Sequence, residues 1–530
     1  MKCILVAQLY VCLQKIKRNG VKMENMMRYT NPVIKGFYPD PSVCRANGKY
    51  YLACSSFQYF PGVPIFESTD LVNWKQIGHV LTKKEQVMLD GVRSSGGIFA
   101  PTLRWCGGRF FMTANNNSTN ENFYVYTDDI YGEWSEPILV EMDGIDPSLY
   151  FEDGRAYYMT NGHDDEGNAG IVQCEIDIHT GKRLSKSKVI WQGSGGRYLE
   201  SPHLYKINSR YYVMAAEGGT EYGHMVTYAR ADSLWGPFEP YKKNPVLTNR
   251  NKAPYLIQGI GHGDLVCDDF GEWHILCLGF RQIDEWQQFH HLGREVFLVP
   301  VTFGEDGWFL AGKDGTADES YEIKVRESTV QQAEKRYTFA NTQWQLDWCH
   351  IRHPYIKNYK FGLDKLTLYG TDVTLDAVDS PTFIGIRQKD FDMELACRVS
   401  IGETNKGMCC LVDGVEAGVT MYMAEDAHYD LAICRNSGSY EAVLRFNIGG
   451  VKHIERIIKL VDGSMNLKVC ADRLQYRFYV ETGQGEIALG AAGTKYLSSE
   501  VAGGFTGVVM GLYAVGRQKA EFSEFYVQYH

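Results

Sequence analysis

The chain predicts an all-β fold: a five-bladed β-propeller followed by a β-sandwich of jelly-roll type. Three observations carry the prediction. A short hairpin pattern recurs five times in the N-terminal half. Aromatic residues are abundant, with 34 Tyr, 25 Phe and 10 Trp, and such side chains suit strands. No long stretch carries an amphipathic helical period.

The hairpin copies are Gly48-Lys49-Tyr50-Tyr51-Leu52, Gly108-Arg109-Phe110-Phe111-Met112, Gly154-Arg155-Ala156-Tyr157-Tyr158, Ser209-Arg210-Tyr211-Tyr212-Val213 and Gly271-Glu272-Trp273-His274-Ile275. Each reads as a turn entering a buried strand. Their first residues lie 60, 46, 55 and 62 positions apart, and β-type repeats of that period are the signature of propeller blades. Five copies predict five blades over residues 28–315. A second element ending in Trp, as in Ser68-Thr69-Asp70-Leu71 with Trp74 and Ala231-Asp232-Ser233-Leu234-Trp235, fits the outer strands of a blade. Residues 316–336 break the pattern and read as a linker. In residues 337–530, strand character returns at Met393 to Val399, Val419 to Met423 and Tyr476 to Val480, which suits a two-sheet sandwich.

Residues 1–27 read as an N-terminal extension. Cys3 to Leu13 is mostly apolar, but the basic run Lys15 to Arg18 follows it, and there is no small-residue cleavage site. A secretory signal would carry its charge first. The expected location is therefore cytoplasmic, with periplasm or secretion as the alternative. The 14 cysteines include no C-x-x-C pair and no Cys/His zinc spacing, so they read as reduced thiols. A net charge of −10 argues against nucleic acid or an anionic membrane as partner. No segment has the roughly 18 consecutive apolar residues of a membrane span.

Carboxylates recur just upstream of the hairpin turns. Asp40 lies eight residues before Gly48, Asp146 eight before Gly154 and Glu200 nine before Ser209. The innermost strand of each blade lines the central channel, so three acids distant in sequence are expected to face one cavity. One Asp-Pro-Ser segment alone is more simply a turn cap. Two of them and a Glu at matched places point to acid–base chemistry, in which one carboxyl stays protonated and another ionised, as glycoside hydrolysis requires.

At these residues the chain resembles glycoside hydrolase family 43, in particular its two-domain β-xylosidases and α-L-arabinofuranosidases. The resemblance covers residues 31 to 530. It rests on Asn31 to Ser42, Ser56-Phe57-Gln58-Tyr59-Phe60-Pro61-Gly62, Ser95 to Pro101, Asp146-Pro147-Ser148, Glu200-Ser201-Pro202-His203-Leu204-Tyr205, Ala216 to Thr220 and Leu292-Gly293-Arg294-Glu295. It implies Asp40 as general base, Glu200 as general acid and Asp146 as the carboxylate that orients the acid and tunes its pKa. It gives Arg294 contacts to sugar hydroxyls and places Thr220 in the substrate-binding set. His262 would hold Asp146 or water, or ligate a central ion. Phe57 and Phe99 would wall the terminal-sugar subsite. The chain departs from the family at Phe99, where related xylosidases carry Trp, and at Ser201, where Gly is usual. Gly503-Gly504-Phe505-Thr506-Gly507 resembles a sandwich-domain loop that closes the pocket with a phenylalanine.

The implied activity is an exo-acting, inverting hydrolase releasing terminal α-L-arabinofuranose or β-D-xylose from hemicellulose-derived oligosaccharides. A non-catalytic sugar-binding propeller and an endo-acting arabinanase or xylanase are the alternatives. No cofactor is required on this reading. A structural calcium and a homo-oligomer are left open.

Overall fold

The computed structural model describes residues 25–326, 337, 339, 345–402, 414–483 and 485–530. The apolar run Cys3 to Leu13 and the polar stretch Gln331 to Lys335 fall outside the described residues.

Five four-stranded antiparallel sheets follow one another along the chain. Each is a meander whose first two strands are the hairpins read from sequence. The first blade runs Ser42–Ala46, Lys49–Ala53, Gly62–Ser68 and Lys75–Leu81. The hairpins of the other four are Ile98–Cys106 with Arg109–Asn116, Ser148–Glu152 with Arg155–His163, Glu200–Ile207 with Arg210–Glu217, and Ile257–Cys267 with Trp273–Arg281. Four of the turns place two successive residues in the left-handed region, as at Asn47 (φ 50°) and Gly48 (φ 77°), which matches the twist of the flanking strands. The first strands of successive blades touch all the way round the ring.

The Trp-terminated segments are not outer strands. Ser68 to Trp74 is the turn between the third and fourth strands of blade one. Ser68 Oγ accepts the backbone N–H groups of Asp70 and Leu71, and Asp70 Oδ1 accepts those of Val72 and Asn73. The short polar side chains thus build a turn rather than a ladder. The expected extension and linker also meet in a strand pair. Asn25–Thr30 runs antiparallel to Ser320–Val325, and Met27, Tyr29, Ile323 and Val325 pack into one core with blades one and five.

The C-terminal half is a sandwich of an eight-stranded and a seven-stranded sheet. The strands read from sequence are there, as Met393–Ile401, Val415–Ala424 and Gln475–Thr482. Forty-odd buried side chains, Leu395, Val419, Leu431, Phe478 and Phe522 among them, fill the space between the sheets. The eight-stranded sheet does not end in the sandwich. Tyr59–Phe60, from a propeller loop, pairs with Trp348–Ile351 as its last strand. Phe37, Phe57 and Tyr59 share a buried cluster with Phe383, Tyr422 and Tyr513 of the sandwich. The two halves are therefore packed together at the end of the propeller that carries the carboxylates.

Candidate active site

The site is built where the five innermost strands begin. Counting eight residues back from each two-residue turn gives Asp40, Ala100, Asp146 and Ser201 in blades one to four. All but Ala100 hold a left-handed backbone, with φ of 56° at Asp40, 51° at Asp146 and 54° at Ser201; His262 of blade five joins them at 46°. Glu200 is thus one residue upstream of the position that Asp40 and Asp146 occupy. A register shift between Glu200 and His203 absorbs the offset, and blade two carries the same shift between Phe99 and Thr102. Bulges of this kind re-aim side chains beside active sites. Here they turn Glu200 and Phe99 into the cavity from corresponding places in blades four and two.

The cavity holds about 350 Å³ and is lined by all nine residues singled out in the sequence: Asp40, Phe57, Phe99, Asp146, Glu200, Thr220, His262, Arg294 and Phe505. Tyr198, Glu221 and His224 also line it, and none of these three carried a sequence signal. Ser55, also unforeseen, donates to Asp40 Oδ2 at 2.5 Å. Its neighbour Ser56 opens one of the quoted motifs, but position alone did not reveal the contact.

The carboxylates are not alike. Burial would raise the pKa of Asp40, but Arg294 overrides it, helped by His262 and by the Ser55 hydroxyl, and the net direction is down. Arg294 Nη1 reaches Asp40 Oδ1 at 3.1 Å and Thr220 Oγ1 at 2.7 Å, and its Nη2 donates to the Phe505 carbonyl at 3.1 Å. Glu200 moves the other way. Burial and the Asp40 charge push it up to about 7, against the pull of Arg294. Asp146 is raised as well, first by burial and then by Glu200 and Asp40. Arg294 favours the ionised form of Asp40, whereas burial and like charge favour the protonated form of Glu200 and Asp146, so the cavity sets its carboxyls apart.

His262 stands beside Asp40, with Nδ1 3.7 Å from Oδ1, and not against Asp146 as the resemblance allowed. Burial lowers its pKa and the Asp40 charge partly offsets that. Its charged neighbours include the Arg294 cation as well as carboxylates, so they do not form the oxygen-rich set that a hard cation prefers. Among the described residues one cluster, Asp268, Glu272 and His274 at the hairpin between the first two strands of blade five, has ligand-like spacing. There Asp268 already bonds His274 at 3.2 Å, and Glu272 pairs with Lys324 at 2.9 Å.

One layer below, Asp264 of blade five ties the channel together. It accepts from Ser42 at 2.7 Å, from Arg104 at 2.7 Å and from Tyr205 at 2.5 Å, residues of blades one, two and four. The aromatic side of the cavity belongs to both halves. The Phe57 and Phe99 rings lie 5.1 Å apart, and Phe505 stands 6.1 and 6.0 Å from them. Phe505 is 39% exposed, so it is not a sandwich core residue. Its loop is pinned by the Phe505 N–H donating to Ser95 Oγ at 2.8 Å.

Comparison with known proteins agrees with this architecture. Residues 29–309 match the family described as glycosyl hydrolases family 43, and residues 336–528 match the beta xylosidase C-terminal concanavalin A-like domain. A non-reducing end alpha-L-arabinofuranosidase of Bacteroides ovatus is 38% identical over 93% of this chain and 92% of its own length. A xylosidase/arabinosidase of Butyrivibrio fibrisolvens is 32% identical over 93% and 97%. Among solved structures, the Bacteroides ovatus xyloglucan PUL GH43B superposes with a TM-score of 0.88 at 36% identity, over 95% of this chain and all of that one. Fold and site together define a glycosidase. The chain belongs to glycosyl hydrolase family 43.

Proposed function

We propose that this glycosidase removes single terminal pentoses, α-L-arabinofuranose or β-D-xylose, from hemicellulose-derived oligosaccharides with inversion at the anomeric carbon. The observation that carries the reading is the split among the three carboxyls that face one cavity. Asp40, held ionised by Arg294, takes a proton from water as that water attacks the anomeric carbon. Glu200, held protonated near neutral pH, donates to the departing oxygen. Asp146, raised by burial and by the Glu200 and Asp40 charges, is the third carboxyl facing the cavity, and negative charge on it favours the protonated form of Glu200. The Phe505 loop covers one side of the cavity, which favours a chain end over a chain passing through. The names of the relatives support both pentoses.

Initial rates on p-nitrophenyl α-L-arabinofuranoside and β-D-xylopyranoside test the reading, with the first-formed anomer followed by proton NMR. Release of one or both sugars with inverted configuration is expected. Oligosaccharides as the first products from a polymer would favour endo cleavage, and saturable binding without release would leave a sugar-binding propeller.

A further inference from the structure

Beside the proposed acid stands a residue that the reading above leaves without a task. Tyr198 lies two positions before Glu200, lines the same cavity and is 61% exposed. Its backbone is left-handed, with φ 53°, a strained conformation for a bulky residue that persists only where the surroundings hold it. They do so from one flank. The Arg197 guanidinium lies 5.1 Å from the ring centroid. Arg197 is itself fixed, through Nη2 to Glu221 at 3.0 Å and through Nε to the Gly218 carbonyl at 3.2 Å. The Arg197 carbonyl accepts the Gly218 N–H at 2.7 Å. Gly219 lies against the ring, where a Cβ would come within 3.1 Å of Tyr198 Cδ2. An aromatic ring is thus braced from behind and presented to solvent at the cavity mouth. Large exposed aromatics fixed in this way belong to binding surfaces more than to cores.

The chemistry says which part of a substrate would meet it. A general acid donates to the oxygen of the leaving group, so the leaving sugar must lie beside Glu200 on the solvent side of the cleaved bond. We propose that Tyr198 is the platform for that leaving sugar, stacking on its C–H face and setting which oligosaccharides the enzyme prefers. This rests on the exo-glycosidase reading above. Arg197 and Glu221 act as positioning residues that keep the ring in place.

The test compares two substrates of the same glycone: a glycosyl fluoride, which has no leaving sugar, and an arabinose- or xylose-terminated oligosaccharide. Tyr198→Ala is expected to lower the ratio of kcat/KM for oligosaccharide over fluoride by roughly three- to tenfold, mainly through KM. Tyr198→Phe, which keeps the ring, should restore the ratio. An unchanged ratio in Tyr198→Ala, or a ratio that falls equally in Tyr198→Phe, would overturn the proposal. Turnover of the fluoride by each variant reports that the site is intact. If the wild type cleaves neither substrate, the exo-glycosidase reading itself fails, and the platform with it.

Discussion

At the scale of single residues, three similar carboxyls behave differently because their surroundings differ. Asp40 has a cation 3.1 Å away and Glu200 does not. The activity profile should follow. kcat/KM is expected to fall as pH rises through about 7, where Glu200 loses its proton, and on the acid side only below the usual carboxylate range, where Asp40 gains one. Arg294→Gln removes the charge that holds Asp40 down, so its acid limb should move to higher pH while kcat/KM drops. Stability gives a second check. Glu200 rises from 4.5 in the unfolded chain to about 7 when folded, so the unfolded state releases its proton first and stability falls across that window as pH rises. Glu200→Gln should therefore unfold at a higher temperature than wild type near about pH 8, with the difference gone at about pH 4. Ser201 illustrates what a pattern match alone does not explain. It takes the left-handed place where family members usually have Gly, and its buried Oγ has no hydrogen-bond partner. Ser201→Gly should keep kcat/KM and not lower the unfolding temperature, because glycine holds that conformation without strain.

At the scale of elements, two short segments decide whether the cavity exists. Gly144 precedes Asp146 by two residues with φ 90°, and a Cβ there would overlap the Asn161 carbonyl oxygen at 1.3 Å. Gly144→Ala should misplace the Asp146 strand, seen as loss of both activity and thermal stability. Gly504 in the closing loop has φ 78°, and a Cβ would lie 2.3 Å from Ser95 Oγ. Gly504→Ala should lift the loop without unfolding the sandwich, raising KM about as much as Phe505→Ala does. The innermost strands were legible in sequence because each enters a hairpin turn with a recurring signal, and in blades one and three an aspartate lies eight residues before that turn. The bulges were not. Glu200 reads as matched to Asp40 and Asp146, yet it lies nine residues rather than eight before its turn, and that offset marks the register shift that aims its carboxyl into the cavity. The Trp-terminated segments read as strands because each follows a blade hairpin and ends in an aromatic residue, whereas Ser68 and Asp70 close a turn there. Ser55, Tyr198 and His224 had no periodic signal, since their roles come from contacts across blades and loops.

At the scale of the whole molecule, the sandwich is part of the active site. It supplies Phe505 to the cavity, the Phe505 carbonyl to Arg294 and a strand partner to Tyr59–Phe60 of the propeller. Buried Arg352 joins the halves further by pairing with Glu425 and donating to the Val92 carbonyl. A propeller expressed alone should lose most of its activity and unfold at a lower temperature, by exposing the Phe37, Phe57 and Tyr59 cluster to water. The two-part architecture could be read from the change in repeat pattern. The exchange of a strand between the parts could not, because Tyr59–Phe60 is two residues long and its partner lies almost three hundred positions away.

The division of labour between Asp40 and Glu200 is tested most directly by the leaving group. A dinitrophenolate departs without a proton, whereas a sugar alkoxide needs one. Glu200→Ala should therefore lose about 10²–10⁴-fold in kcat on an oligosaccharide and far less on the dinitrophenyl glycoside, while Asp40→Ala should lose heavily on both because water activation is required in each case. Equal losses on the two substrates in Glu200→Ala, or an active Asp40→Ala enzyme, would contradict the assignment.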